Sequence, residues 1–414
     1  MAMFPRSSAL LLCFLLIGLA GLGQEEAIPE TPKITKLDTA GIKDLPDLFL
    51  HLTKSKKTRE LKVNSSLALL PAIGYNPSYG FLFGANIVRT SYKGDPAHTK
   101  LSVAQLDVSY TTKGMFIARF RHNIFKEHNL WNFQGNWQFN RGYMLDYGLG
   151  DTARRDPAIA YPIRFNYFKL SEKVYRKVGP NLFAGIGISF DIRNKIDDKL
   201  YDTVRITPHA RYNLLNGFNP DHYNVNGLMA IIQYNDRDHP NRAYKGIYAD
   251  INFRVNPTWM GSTKASGQLY TEFRKYIPLS RKNPDQTLAL WYYGSYLLWG
   301  KIPYLELPGT AYDPYLRSGR AYTMGRFKGP SYMYGEAEYR FPITRNRFLA
   351  GVAFLNLQSA SETGKVSLLQ YIEPGYGVGL RIHFNKFSRT YVCIDYARGC
   401  YGSSGLFFAL NEAF

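Results

Sequence analysis

From about residue 65 to its end the chain alternates between polar and apolar positions. In "LWNFQGNWQFN", residues 130–140, Trp131, Phe133, Trp137 and Phe139 hold one parity, and Asn132, Gln134, Asn136, Gln138 and Asn140 hold the other. A period of two is a strand pattern, because successive side chains point to opposite faces. The pattern recurs. In "AQLDVSY" Gln105, Asp107 and Ser109 oppose Leu106, Val108 and Tyr110; in "MFIARFR" Arg119 and Arg121 oppose Ala118 and Phe120. In "YIEPGYGVGLRIHF" Glu373, Gly375, Gly377, Gly379, Arg381 and His383 oppose Ile372, Pro374, Tyr376, Val378, Leu380, Ile382 and Phe384. One isolated strand of this kind would suit a soluble sheet. Here no helical stretch follows that could cover so many faces, which excludes an α/β protein.

Sixteen strands are predicted, near 66–75, 79–91, 101–111, 114–125, 129–142, 161–176, 182–195 and 226–237, then 246–257, 266–277, 288–299, 332–342, 348–357, 369–384, 389–398 and 404–414. The fold class is therefore all-β, and the even count fits a transmembrane antiparallel β-barrel. Connections around 143–160, 196–225 and 300–331 are long and share one rim. Those around 126–128, 178–181, 343–347 and 385–388 are short and share the other. The stretch "VRITPHARYNL", 204–214, is read as loop structure, since a seventeenth strand would spoil this division. The aromatics then face lipid and the amides face a wet or side-chain-filled lumen. Closure also pairs every backbone group, which hydrocarbon cannot do.

Three parts are expected: a signal peptide (1–23), a periplasmic leader with a short helix (24–62) and the barrel (63–414). The apolar run "ALLLCFLLIGLAGLG" after Arg6 has the length of a secretory signal and is short of the roughly 20 residues a membrane helix needs. Gly18-Leu19-Ala20 and Gly21-Leu22-Gly23 both suit cleavage. Cys13 lies within the run without a small residue just before it, which argues against a lipid anchor. An exported chain of this kind belongs in the outer membrane of a Gram-negative bacterium. Its end, "GLFFALNEAF", sets Leu406, Phe408, Leu410 and Phe414 on one face and resembles the insertion signal read by the outer-membrane assembly machinery.

Charge and chemistry add less. The formal net charge of +19 points to phosphorylated lipid headgroups, lipopolysaccharide included, or to scattered solubilising charge. Nucleic acid is not expected as the partner of an exported protein. Cys393 falls in mid-strand and Cys400 in a loop, which disfavours a disulfide. No cofactor or metal is expected. A barrel that hydrolyses lipid needs a serine near a histidine; His383 faces inward by parity, but the sequence pairs no serine with it, and no enzymatic activity is expected. "NDRDHPNRAYKG" reads as a turn built from Asn, Asp, Pro and Gly, rather than as a metal site of Asp236, Asp238 and His239.

Four stretches go beyond a generic barrel: "LLPAIGYNPSYGFLFGA" at 69–85, "QYNDRDHPNRAYKGIY" at 233–248, "GKIPYLELPG" with "SGRAYTMGRFKG" at 300–329, and "YGEAEYRFPI" at 334–343. In this order they resemble the BamA/TamA superfamily, the bacterial surface-antigen family of assembly and secretion barrels. The resemblance implies a loop between strands 11 and 12 that folds into the lumen, its tip carrying an Arg-Gly-aromatic motif whose arginine meets inner-wall acids. It maps that motif onto Arg320, Ala321 and Tyr322, and the acidic partner onto Glu338, beside Glu336. Ala321 replaces the glycine, which is costly if the backbone there needs positive φ. Asn356 stands where relatives often carry aspartate and is expected to accept a hydrogen bond from Arg320.

The resemblance further implies a weak seam between first and last strands, where Pro71 and Gly74 weaken pairing. The short leader leaves no room for periplasmic POTRA domains, so a separate periplasmic or barrel partner is expected. The leading expectation is insertion or transport of polypeptides; a passive or gated pore and a surface scaffold or adhesin are the alternatives.

Overall fold

The computed structural model of the protein describes residues 41–52, 65–76, 80–95, 98–154, 160–199, 206–314, 316–386 and 388–414. The expected signal peptide and much of the leader lie outside the described residues. Sixteen strands follow in chain order: β1 (Ser65–Asn76), β2 (Gly80–Ser91), β3 (Ser102–Thr111), β4 (Phe116–Phe125), β5 (Trp131–Asp146), β6 (Tyr161–Gly179), β7 (Leu182–Asp197) and β8 (Tyr223–Asn235). The second half comprises β9 (Gly246–Asn256), β10 (Ser266–Pro278), β11 (Thr287–Gly300), β12 (Ser331–Pro342), β13 (Leu349–Ala360), β14 (Glu373–Asn385), β15 (Thr390–Gly399) and β16 (Ser404–Leu410). Each pairs with its chain neighbours in one sheet ordered β1 to β16.

The sheet curls until its first and last strands meet. A Cβ added to Gly74 of β1 would stand 3.5 Å from the main-chain oxygen of Phe408 in β16. Yet among the described residues no ladder joins β1 to β16. The barrel is nearly closed, with one unlaced seam.

The period of two sets the faces. On β5, Trp131, Trp137 and Phe139 are exposed while Asn132 and Asn140 are buried. Phe81, Phe83, Leu106, Phe168, Ile186, Leu228 and Ile232 continue the exposed apolar belt on neighbouring strands. So large an apolar surface would aggregate in water and is at ease only in hydrocarbon. Inward positions carry the buried polar side chains, as the alternation requires.

Helix α1 (Leu45–Leu52) precedes the barrel. Asp44 caps it: the Asp47 amide donates to Asp44 Oδ1 at 3.0 Å, and the Asp44 amide donates back to Asp47 Oδ2 at 3.4 Å. The same carboxylates fasten the helix to the short-turn rim. The Lys386 amide donates to Asp44 Oδ2 at 3.0 Å and Lys386 Nζ to Asp47 Oδ2 at 2.7 Å, while the Lys43 amide donates to the Asn346 carbonyl at 3.1 Å.

Helix α2 (Pro208–Leu215) occupies the loop after β7 and overlaps the stretch 204–214 read as loop structure. Thr207 caps it by accepting from the Ala210 amide at 3.1 Å, and Pro208 suits the first turn, where a missing N–H costs nothing. His209 lies between Asp198 Oδ2 and the Asn213 amide, each 2.9 Å away. Asn213 Oδ1 in turn accepts from the Tyr304 amide at 3.1 Å. Two long loops are thereby joined at one end of the barrel.

Asp44 is fully buried and serves both the cap and the dock. Asp44→Ala is expected to weaken the helix by about 1 kcal/mol through the cap alone and to detach it from the rim. Limited proteolysis should then cut within 41–52 several-fold faster while the barrel stays folded.

Candidate functional site

The segment between β11 and β12, residues 301–330, starts from an apolar anchor. Ile302, Tyr304, Leu305 and Leu307 are buried with Met144, Ile163, Phe165, Tyr167, Ile196 and Tyr223. The Tyr304 hydroxyl donates to Asp146 at 2.7 Å, Lys328 Nζ pairs with the same carboxylate at 2.8 Å, and Arg193 pairs with Glu306 at 2.5 Å. Asp146 and Arg193 are inward-facing residues of β5 and β7. Both arms of the segment are therefore tied to the inner wall.

At its tip the Arg320 guanidinium meets three carboxylates. Nη2 donates to Glu336 and, at 2.5 Å, to Glu338; Nη1 donates to Asp395 at 3.0 Å. Its plane lies over the Phe354 ring, 3.6 Å from the centroid. A planar fork of five donors suits such a cluster better than a lysine would. Tyr322 fixes the next turn: its hydroxyl donates to the Pro374 carbonyl at 2.5 Å and accepts from the Cys400 amide at 2.8 Å.

Ala321 has φ 96, in the region where a side chain is strained and glycine is not. Asn356 differs from expectation. It donates from Nδ2 to the Arg320 carbonyl at 3.0 Å instead of accepting from the guanidinium. The carboxylates of β12 and β15 already occupy the guanidinium's donors, so the amide serves the backbone. The third acid, Asp395, lies outside the motif that the resemblance supplies, although parity alone makes it the inward-facing ion of "YVCIDYARG".

The end of the chain departs from its expected course. Leu406 and Phe408 are exposed on the outward face, but β16 stops at Leu410 and Asn411 takes φ 71. Residues 411–414 turn inward. Phe414 is buried, 5.1 Å from the Trp291 ring in a stacked pair, so it does not share the outward face of Leu406 and Phe408. Charge explains the turn. Glu412 pairs with Arg242 and, at 2.7 Å, with Arg381. Arg340 donates to the Phe414 oxygen at 2.9 Å, and Arg317 to the carbonyls of Leu410 (2.8 Å) and Asn411 (3.0 Å).

Tip and tail thus share one network. Arg381 also pairs with Asp395 at 2.5 Å, and Arg340 with Glu338 at 2.7 Å. Arg242, Arg320, Arg340 and Arg381 are joined through Glu336, Glu338, Asp395 and Glu412, and Arg242 also reaches Asp285 at 3.9 Å.

Elsewhere the expected residues have local roles. Asp238 accepts from the amides of Tyr244 (2.9 Å) and Lys245 (3.2 Å) and pairs with Arg389 at 2.6 Å. His239 Nδ1 accepts from the Asn241 amide at 3.2 Å; burial, then Arg389 and Arg237, push this imidazole down to about 3. These contacts build a turn. His383 stacks on Tyr391 with centroids 4.2 Å apart, and Cys393 and Cys400 are free thiols.

Beside the filled part of the lumen lies a cavity of about 1520 Å³, reaching from Gln138 and Asn140 of β5 to Lys100 and Arg237 at the short-turn rim. Together these features define a class: a sixteen-stranded, nearly closed barrel of the outer-membrane type, with the segment 301–330 and the tail paired to inward-facing residues. Comparison with known proteins places it further. Residues 193–389 match the Omp85 superfamily domain. The fold is similar to BamA from Haemophilus ducreyi lacking POTRA domains 1-3, with a TM-score of 0.55 and 14% identity, covering 85% of this chain and 71% of that one. It is similar to CdiB from Escherichia coli, with a TM-score of 0.50 and 9% identity, covering 86% of this chain and 63% of that one. No curated protein matches the sequence. The fold is thus that of a BamA-like barrel, and the match to the Omp85 superfamily domain falls within it, on residues 193–389.

Two substitutions test the tip. Arg320→Ala leaves Glu336 and Glu338 buried beside fewer cations, a change that typically costs about 3–5 kcal/mol. The temperature at which the folded barrel loses its fast gel mobility should fall markedly. Ala321→Gly relieves the strained backbone, typically about 1–2 kcal/mol, less what glycine adds to the unfolded chain; the same assay should show a small rise.

Proposed function

We propose that this barrel inserts or translocates polypeptides at the outer membrane, working with a separate periplasmic partner. The observation that carries this reading is the seam. Among the described residues every other strand edge is laced to its neighbour, while β1 and β16 touch without a ladder. Unpaired backbone groups on a strand edge are a template for another strand. A polypeptide arriving at this seam gains main-chain hydrogen bonds that the resting barrel leaves unmade. β16 has only seven residues, and Pro71 of β1 has no N–H to offer, so little pairing must be undone. The role of Arg320, Glu336 and Glu338 in this reading is to hold the loop tip beside the last two strands.

The test is a reversible lock. Cysteines go at Gly74 of β1 and, in turn, at Phe407, Phe408 and Ala409 of β16, with Cys393 and Cys400 replaced. The oxidised pair is expected to abolish complementation of a deletion strain, and reduction to restore it. Full complementation by the crosslinked barrel would remove the seam from the mechanism.

A further inference from the structure

Three cations stand free at the long-loop ends of β5, β6 and β7. Arg141 continues the outward series of Trp131, Trp137 and Phe139 on β5, and register sets it opposite Asn166, and Tyr143 opposite Arg164. Arg141 and Arg164 are therefore diagonal neighbours on the outer face, about 7–8 Å apart. Lys195 joins them through a bulge. Between the paired levels Arg164–Asp197 and Asn166–Asn194, β7 holds one residue more than β6, and Lys195 takes φ 50 there. Strict alternation would send Lys195 inward after Arg193; the bulge leaves it exposed next to β6.

Arg141, Arg164 and Lys195 are all exposed, and none of their side chains is held by a partner among the described residues. One acid is near: Asp197, opposite Arg164 in register, whose Oδ1 accepts from the Lys199 amide at 3.1 Å. Lys113 flanks the group, its Nζ 5.8 Å from the centroid of the Tyr143 ring. Cations thus outnumber acids. At the short-turn end of the same strands the outward Arg176 already lies over the Trp131 ring, 5.3 Å from its centroid.

Depth names the ligand. Ten steps along β5 separate Trp131 from Arg141, a rise of about 33 Å. At a strand tilt of about 40° that spans about 25 Å of bilayer, the height of an apolar band. Within it one outward acid, Glu172, is held by Trp137 Nε1 at 2.5 Å and His122 Nε2 at 3.1 Å. The band ends in Phe139 and Phe168, 45% and 42% exposed. The three cations therefore lie at a headgroup boundary, on the side of the long loops, which in barrels of this type face away from the cell. A phosphate there meets two guanidinium forks, suited to its oxygens, and an ammonium. Acyl chains meet the rings just below.

We infer that Arg141, Arg164 and Lys195 form a binding site for the phosphate groups of an outer-leaflet glycolipid, with its acyl chains laid on Phe139 and Phe168. This rests on the outer-membrane location proposed above and not on the handling of polypeptides. It also gives part of the chain's positive charge a specific place, where scattered solubilising charge would show no such grouping.

Native mass spectrometry of the full-length barrel in detergent, freed of divalent cations, tests it. The probes are diphosphoryl lipid A, the same lipid with its phosphates removed, and phosphatidylglycerol. The barrel is expected to bind diphosphoryl lipid A at least tenfold more tightly than either of the others. Arg141→Gln with Arg164→Gln should cut that affinity about tenfold, as loss of charge-assisted bonds at an exposed site implies. Lys195→Gln should cut it less. Lys275→Gln, which removes an exposed cation near the short-turn end of β10, should leave it unchanged. Retained fast gel mobility shows that each variant is folded. Undiminished binding by the folded double variant, equal binding of the lipid without phosphate, or no binding by the unaltered barrel overturns the site. Equal binding of phosphatidylglycerol overturns its assignment to a glycolipid. Lipid binding is read here without any transport assay, so failure of the site leaves the seam mechanism standing.

Discussion

Arg320 is the constraint on which the rest of the lumen depends. One guanidinium reaches acids on two strands that are not neighbours, β12 and β15. Arg381 carries the connection on to Glu412 and so to Arg242 in a turn of the short-turn rim. Buried ions are costly unless each finds an opposite charge and hydrogen bonds. Here cations and anions alternate through the cluster, so that removing one member leaves its partners to bear the same cost.

This arrangement divides the lumen unequally. Loop tip and carboxy-terminal tail fill the space beside β10 to β16, where Trp291, Tyr322, Phe354 and Phe414 belong to one buried cluster. Against β5 and its neighbours the lumen is lined by amides and cations around open volume. The same division separates two kinds of side chain that look alike in the sequence as inward-facing polar residues. The charged ones on β12, β14 and β15 are tied into ion pairs, although Arg340 Nη1 and His383 Nε2 keep no partner among the described residues, and several on β2, β5 and β9 keep an oxygen unserved.

Much of this was legible in the sequence because a barrel is a repetitive object. The period of two, with turn residues between runs, located all sixteen strands, and the parity rule put Glu336, Glu338, Arg381 and His383 on the buried face. Arg320 was legible through the motif around it. What parity does not reveal is where a strand stops. The alternation of "GLFFALNEAF" continues formally to Phe414, but an asparagine at positive φ and the pull of two arginines on Glu412 bend the chain inward. Nor does parity say which inward residues meet across the lumen. Asp395 lies 75 residues from Arg320, and only the closed curvature of the sheet brings them together. Asn356 follows the same logic: the resemblance puts it where an aspartate would accept from Arg320, but with the guanidinium's donors taken by Glu336, Glu338 and Asp395 its amide donates to the Arg320 carbonyl instead.

The last strand has one more property. Ser403, just before β16, donates to the Ala321 carbonyl at 2.7 Å, and Arg317 grips the carbonyls just after it. A strand at an open edge ordinarily frays, and ordering it is part of what any newcomer must overcome. β16 is laddered to β15 and braced from inside at both ends by one short stretch of loop, so its open edge keeps the shape of a strand without a second neighbour to impose it. Such an edge is stiff and already aligned. It is also, by the same token, the place on this molecule most open to pairing with the wrong chain.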